Sequence, residues 1–260
     1  RVIEPTMVLT TARGSVPHPG TVHYEDLESS PPCAIPDQPA AAPSDAHHIQ
    51  LTSGSTSAPK AVVLSHGNVA HNIATVSLSM ATVRGSGRLF SWLPMYHDMG
   101  FIQVLGALIY DGRIGMMTPL GFLRDPLSWM RNMTHHRSTV TAGPTFAYRA
   151  AAESLARSAP APGSIDLSAL RHAYVGAEPI AQSSLRMFTD SFAPWGLRSD
   201  VLVPSYGMAE SVLATTIAQQ PAPAGPLNFG RVRTLPPDDT GAPLVSCGPP
   251  IEGMCVRVVE

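Results

Sequence analysis

Lys60 is the single lysine in a chain of 260 residues, and arginine fills the other sixteen basic positions. It closes the run Leu51-Thr52-Ser53-Gly54-Ser55-Thr56-Ser57-Ala58-Pro59-Lys60. Against such a bias, the surviving lysine supplies what arginine cannot, a compact ammonium on a mobile stem rather than a planar fork. The hydroxyls of Thr52, Ser53, Ser55 and Thr56, the open backbone at Gly54 and the Lys60 charge together suit a polyphosphate cradle. The expected ligand is a nucleoside triphosphate. The run is not a Walker A loop, which needs Gly before the lysine and Ser or Thr after it; here Pro59 precedes and Ala61 follows. It also leads into a strand-like segment, so no helix N-terminus lies behind the anion.

Such residues must be held by a scaffold, and the pattern around them supplies one. Ile49–Ser53 and Ala61–Leu64 read as short strands, and Ser65 to Asn68 provides capping groups for a helix from about 69 to 81. Strand-like segments follow at Arg88–Leu93, Arg113–Thr118, Ser138–Ala142, Arg171–Val175 and Val201–Pro204. Between them lie helical segments at Asp98–Tyr110, Pro126–His136, Thr145–Arg157 and Ile180–Ala193. This alternation predicts parallel crossovers and an α/β fold, a mostly parallel sheet with helices on both faces. The chemistry-bearing segments fall in loops at strand carboxyl ends, where open sheets of this kind bind ligands. Ser211–Ile217 reads as a further strand.

Three parts are expected. Residues 1–47 hold a strand near 1–10 and a proline-rich connection over 14–46; residues 48–218 form an α/β core; residues 219–260 hold a loop and the start of a smaller antiparallel β subdomain, with Val245, Val256, Val258 and Val259 on its strands. The chain opens at Arg1 and stops in Met254-Cys255-Val256-Arg257-Val258-Val259-Glu260, an alternating run, and so reads as an internal piece of a longer protein. A net charge of −2 gives no electrostatic footprint for nucleic acid. No apolar run reaches the ~18 residues of a membrane span, and no signal peptide opens the chain. Cys33, Cys247 and Cys255 lack metal spacing and read as reduced, buried thiols of a cytoplasmic protein.

Thr52 to Lys60 resembles the phosphate-binding signature of the adenylate-forming, acyl-activating superfamily, with Ser57 and Ala61 where that family usually has Gly. Leu93-Pro94-Met95-Tyr96-His97-Asp98-Met99-Gly100 is similar to the family's gate beside the acyl carboxylate, in the His-Asp form of the fatty-acyl-AMP ligases. Ser205-Tyr206-Gly207-Met208-Ala209-Glu210 is similar to its adenine and metal motif, and Ala209 and Val245-Ser246-Cys247-Gly248 again match the AMP-ligase pattern. Gly176-Ala177-Glu178-Pro179 resembles the segment packed against adenine. Gly143-Pro144-Thr145-Phe146-Ala147-Tyr148 resembles the loop and helix beside the acyl tunnel.

The resemblance implies ATP-dependent activation of a fatty or related carboxylic acid to an acyl-adenylate, with release of pyrophosphate. Lys60, His97 and Glu210 would be catalytic, Glu210 holding Mg²⁺, and Asp98 would cap its helix. ATP would rest on Thr52, Ser53, Gly54, Ser55, Thr56, Lys60, Gly176, Ala177, Glu178, Ser205, Tyr206, Gly207, Met208 and Ala209. The acyl group would lie against His97, Gly143, Pro144, Thr145 and Tyr148. An acyl carrier protein or polyketide synthase would take the acyl group on its phosphopantetheine thiol. Two alternatives stand beside this: a ligase using free coenzyme A, and a non-catalytic nucleotide-binding or scaffold segment of a synthase. The resemblance also implies a small C-terminal domain, which would lie beyond residue 260.

Overall fold

The computed structural model describes residues 8–10, 19, 21–23, 26, 28–31, 39–52, 60–81, 83–158, 160–218, 230–237, 241, 243–257 and 259. Ser53 to Pro59, Cys33, Val2, Ile3, Val258 and most of 219–240 lie outside the described residues.

Strands β1 (Val8–Thr10) and β2 (Thr21–His23) pair in parallel; of the strand expected near the start, residues 8–10 are described and are extended. The proline-rich connection also contains a strand that the sequence reading did not anticipate. Strand β3 (Ala46–Thr52) then forms an antiparallel hairpin with β4 (Lys60–Ser65). Helix α1 (His66–Ser79) starts three residues before the expected position because Ser65 is itself the N-cap. Its Oγ accepts the Asn68 N–H at 3.2 Å, and Asn68 Oδ1 accepts the Ser65 N–H at 3.1 Å, a reciprocal pair that satisfies two orphan donors.

The remainder alternates strand and helix: β5 (Arg88–Ser91), α2 (Asp98–Ile109), β6 (Arg113–Met116), α3 (Pro119–Arg124), α4 (Pro126–His136), β7 (Val140–Gly143), α5 (Thr145–Ala156), β8 (His172–Val175), α6 (Gln182–Phe192), β9 (Leu202–Gly207) and β10 (Ala214–Ile217). The short helix α3 is an addition, started by Thr118, whose hydroxyl accepts the Gly121 N–H, and by Pro119 at its first turn. One six-stranded sheet has the order β10-β9-β8-β7-β5-β6, parallel throughout except for the antiparallel edge pair β9–β10.

The expected strand from Ser211 is corrected at its start. Ala209–Ser211 is a 3₁₀ turn, Val212 sits at φ 72° and ψ −59°, and only Ala214–Ile217 is extended. The small antiparallel sheet consists of β11 (Thr234–Leu235) and β12 (Leu244–Val245); Val256 and Val259 lie in no strand, and Pro250 instead bridges to Thr216. The buried-thiol expectation fails for Cys255, which is exposed, while Cys247 is half-buried.

Period-two alternation puts helices on both faces of the sheet. Ala173 and Val175 of β8 join Phe90, Leu202, Trp129, Tyr148 and Phe188 in the large core beneath α4, α5 and α6. Their neighbours His172 and Tyr174 face the other side, toward α1 and α2, where Leu64, Val69, Ile73 and Ile102 form a second cluster.

Candidate functional site

On the α1 and α2 side, the sheet and the two helices leave a cavity of about 760 Å³. Its mouth is taken at the carboxyl ends of β8 and β9, where Tyr96, Tyr206 and Glu210 are exposed, and the lining runs from there along the sheet to the start of β8. Ile73, Val76, Met80, Leu89, Ile102 and Val140 make much of the wall apolar.

Three chain segments meet at the mouth. The hairpin contributes Gln50 and Thr52. Lys60 is the cross-strand partner of Thr52 and therefore shares its face of the hairpin, with its side chain exposed. Gln50, buried on that face, donates from Nε2 to the Tyr96 carbonyl at 3.0 Å and so ties the hairpin to the second segment. That segment is the turn Tyr96-His97-Asp98 leading into α2. His97 is the N-cap, its ring half-exposed on the cavity wall, with Nδ1 2.6 Å from Asp98 Oδ1. The hydrogen bond that the ring donates to Asp98, and secondarily the Asp98 charge, raise the imidazole above its ordinary value, against an opposing contribution from burial.

The third segment is the end of β9 and the turn after it. Ser205, Tyr206, Gly207, Met208, Ala209 and Glu210 all line the cavity, beside Gly176 and Ala177 from the end of β8. The turn folds back tightly. Met208 N–H donates to the Leu213 carbonyl at 3.0 Å, and a Cβ at Gly207 would run into that carbonyl. Gly176 is required for a similar reason, since a Cβ there would press on the Ser205 carbonyl. From α1, buried Asn72 clamps the exit of the turn. Its Nδ2 donates to the Ser211 and Ala214 carbonyls at 3.0 and 2.8 Å, and its Oδ1 accepts the Ala214 N–H at 3.2 Å. Between these anchors stands Val212, whose positive φ is costly for a β-branched residue. Glu210 is exposed at the mouth, with an oxygen donor set suited to a hard divalent cation shared with phosphates.

Thr52, His97, Gly176, Ala177, Ser205, Tyr206, Gly207, Met208, Ala209 and Glu210 are thus brought to one cavity, with Lys60 opposite Thr52. Ser53, Gly54, Ser55 and Thr56 lie outside the described residues. Glu178 is not on the cavity wall; its Oε1 accepts the Phe146 N–H at 2.7 Å, at the start of α5. Tyr148, expected beside the acyl group, does not line this cavity. It is fully buried between Trp129 and Phe188, and its hydroxyl donates to the Tyr174 carbonyl at 2.7 Å. Gly143, Pro144 and Thr145 do not line this cavity either. They stand at the start of α5, where Gly143 faces Ala147 and Trp129 of the large core.

Sequence reasoning missed the deep wall. His172 and Tyr174 lie there on alternate positions of β8. Burial, followed by the Arg231 charge, lowers His172 to about 4, so its ring is neutral; Arg231 Nη1 sits 3.4 Å from its Nδ1. Burial pushes Tyr174 up to about 12. The available signal was the alternation of His172 and Tyr174 with Ala173 and Val175.

A sequence model of the family described as AMP-binding enzyme matches residues 4–260. The chain is 34% identical over 229 residues to the medium-chain-fatty-acid–[acyl-carrier-protein] ligase JamA of Moorena producens, covering 82% of this chain and 37% of that protein. It is 36% identical over 208 residues to the long-chain-fatty-acid–AMP ligase FadD32 of Mycolicibacterium smegmatis, covering 75% and 32%. Among solved structures, a fatty acyl-adenylate ligase from L. pneumophila in complex with acyl adenylate and pyrophosphate superposes with a TM-score of 0.68 at 30% identity, covering 82% of this chain and 39% of that one. The chain therefore spans about a third of the length of these curated relatives.

Proposed function

The chain belongs to the AMP-binding enzyme family, and from that premise we propose that the protein carrying it activates a fatty or related carboxylic acid with MgATP. The observation that carries this reading is the convergence of Thr52, His97, Tyr206 and Glu210 on the mouth of one largely apolar cavity. A polar rim suits a triphosphate and a carboxylate, and an apolar depth suits an acyl chain, each buried methylene contributing about 0.8 kcal/mol.

In this reading, a carboxylate oxygen of the acid attacks the α-phosphorus of ATP, the bond from that phosphorus to the bridging oxygen breaks, and pyrophosphate leaves. The chain acts by positioning and by charge. Lys60 and the Thr52–Thr56 loop offset charge on the departing pyrophosphate, Gly176, Ala177 and Tyr206 flank the base, and His97 orients the acid's carboxylate. Mg²⁺, held by Glu210 with the phosphates, would supply charge neutralisation at the oxygens that gain it. Residues 48–218 then serve as the ATP- and acyl-binding core, and residues 219–260 begin a smaller β subdomain.

The second half-reaction follows from the product. An acyl-adenylate is a mixed anhydride, and a thiolate that attacks its carbonyl carbon displaces AMP and forms a thioester. We assign the thiol to the phosphopantetheine of a carrier protein, a reading supported by the name of JamA as an acyl-carrier-protein ligase. The test is acid-dependent ATP–pyrophosphate exchange by the complete enzyme, followed by transfer of radiolabelled acyl group to holo-carrier protein or to coenzyme A. Absence of exchange with every saturated and aryl-alkyl acid tried rejects activation. Transfer to coenzyme A alone rejects the carrier assignment.

A further inference from the structure

His97 is held by a neighbour to which the mechanism above gives no part. Its Nδ1 lies 2.6 Å from Asp98 Oδ1. The Met99 N–H donates to the same carboxylate oxygen at 2.6 Å and lies 3.3 Å from Nδ1. One ring nitrogen cannot donate to a carboxylate and accept from an amide at once, so the shorter contact decides. Nδ1 keeps a proton and donates a hydrogen bond to Asp98 Oδ1, and the Met99 N–H donates to Asp98 as well. The Asp98 side chain is 14% exposed and the His97 ring 53% exposed, so the carboxylate is the sheltered partner and the ring the one that meets a ligand.

With Nδ1 committed, Nε2 is the ring nitrogen left for the cavity. In the neutral ring that atom is a bare lone pair, which repels a carboxylate; only the imidazolium has an N–H there to donate. We propose that Asp98 is a positioning residue for acid activation: by locking His97 through Nδ1, it makes capture of the substrate carboxylate depend on a proton at Nε2. This inference rests on the reading of His97 as the group that orients the acid.

The same contact sustains that proton, since the hydrogen bond to Asp98 and its charge both favour the cation. Among the described residues, the other ionisable groups around the mouth are Tyr96 on the same turn, Tyr206 at the end of β9, Glu210 in the turn after it, and Lys60 on the hairpin, where the cavity-lining Gln50 and Thr52 are uncharged. Asp98 is the one in hydrogen-bond contact with the ring.

Asp98→Asn tests this in the complete enzyme. The amide keeps an acceptor oxygen for Nδ1 and for Met99 but removes the charge. Acid-dependent pyrophosphate exchange is followed between about pH 5 and about pH 9 with decanoate as the acid. In the wild type, kcat/KM for decanoate should fall on the alkaline side as His97 loses its proton. In Asp98→Asn that fall should move down by about one pH unit, roughly a tenfold loss at a fixed pH above both limbs, carried by KM for the acid and not by kcat. NMR titration of ¹³C-histidine-labelled protein, with the His97 resonance identified by its loss in His97→Gln, should show the same displacement. Exchange with coincident alkaline limbs in the two proteins, or an unmoved His97 titration, would overturn the proposal. Absence of exchange in the wild type would instead overturn the activation reading beneath it.

Discussion

Asn72→Ala tests whether one side chain on α1 holds the turn that presents Tyr206 and Glu210. Asn72 is 1% exposed and makes three hydrogen bonds across the exit of that turn, at 2.8, 3.0 and 3.2 Å. At about 1 kcal/mol net for each bond, their loss alone costs about 3 kcal/mol. The Ala214 N–H and carbonyl are left buried without that partner, which raises the expected cost to roughly 3–5 kcal/mol. Val212 adds a further consequence. Its φ of 72° persists because both flanks are pinned, and a conformation of this type costs about 1–3 kcal/mol, so an unpinned turn relaxes and carries Glu210 with it. Urea unfolding of wild type, Asn72→Ala and Asn72→Leu reads the stability, and pyrophosphate exchange below the unfolding transition reads the site. Leucine restores the volume and not the bonds, so it should be as destabilising as alanine. A loss below about 1 kcal/mol for Asn72→Ala, or recovery in Asn72→Leu, would refute the hydrogen-bond account in favour of simple packing.

Lys60→Ala should lower kcat/KM for pyrophosphate release by roughly 3–4 kcal/mol, as for removal of one preorganised donor to developing charge, with little change in thermal stability because the side chain is exposed. Tyr148→Phe should destabilise by about 1 kcal/mol through the lost bond to the Tyr174 carbonyl, and acid KM should stay unchanged because the ring lies in the core beneath α5. His172 has a folded value of about 4 against an ordinary 6.5. The unfolded chain therefore takes up a proton first as pH falls. The contribution is complete above about 6.5 and is lost progressively toward 4; after discounting for partial exposure it amounts to roughly 1–2 kcal/mol, measurable as a fall in urea midpoint that His172→Gln should flatten.

Much of this architecture was legible because local signals agreed with the global pattern. The capping run Ser65 to Asn68 announced α1 though not its exact first residue, Pro126 marked the first turn of α4, and the strand–helix alternation led to a parallel sheet with its motifs at strand ends. The gathering of His97, Tyr206 and Glu210 could be anticipated from their place after strands. The deep cavity wall could not, because Ile73, Val76 and Ile102 follow the same helical spacing whether they pack against a sheet or against a ligand. Tyr148 shows the converse: an aromatic next to a ligand-like loop belonged to the core, because helix α5 turns it inward to meet Phe188 and the Tyr174 carbonyl. The bend at Val212 was hidden by composition, since a β-branched residue before Leu213 and Ala214 reads as extended until the Asn72 clamp is seen.

Strand β8 has just four residues, and two of them belong to each side of the sheet. Ala173 and Val175 fill the aromatic interior, while His172 and Tyr174 furnish the chamber wall. Loss or gain of a single codon within it would turn the ribbon over, pressing an imidazole and a phenol against Trp129 and Phe188 and handing the chamber two small aliphatic groups. Point changes at these sites can therefore remodel the chamber by degrees, whereas a length change damages interior and chamber together.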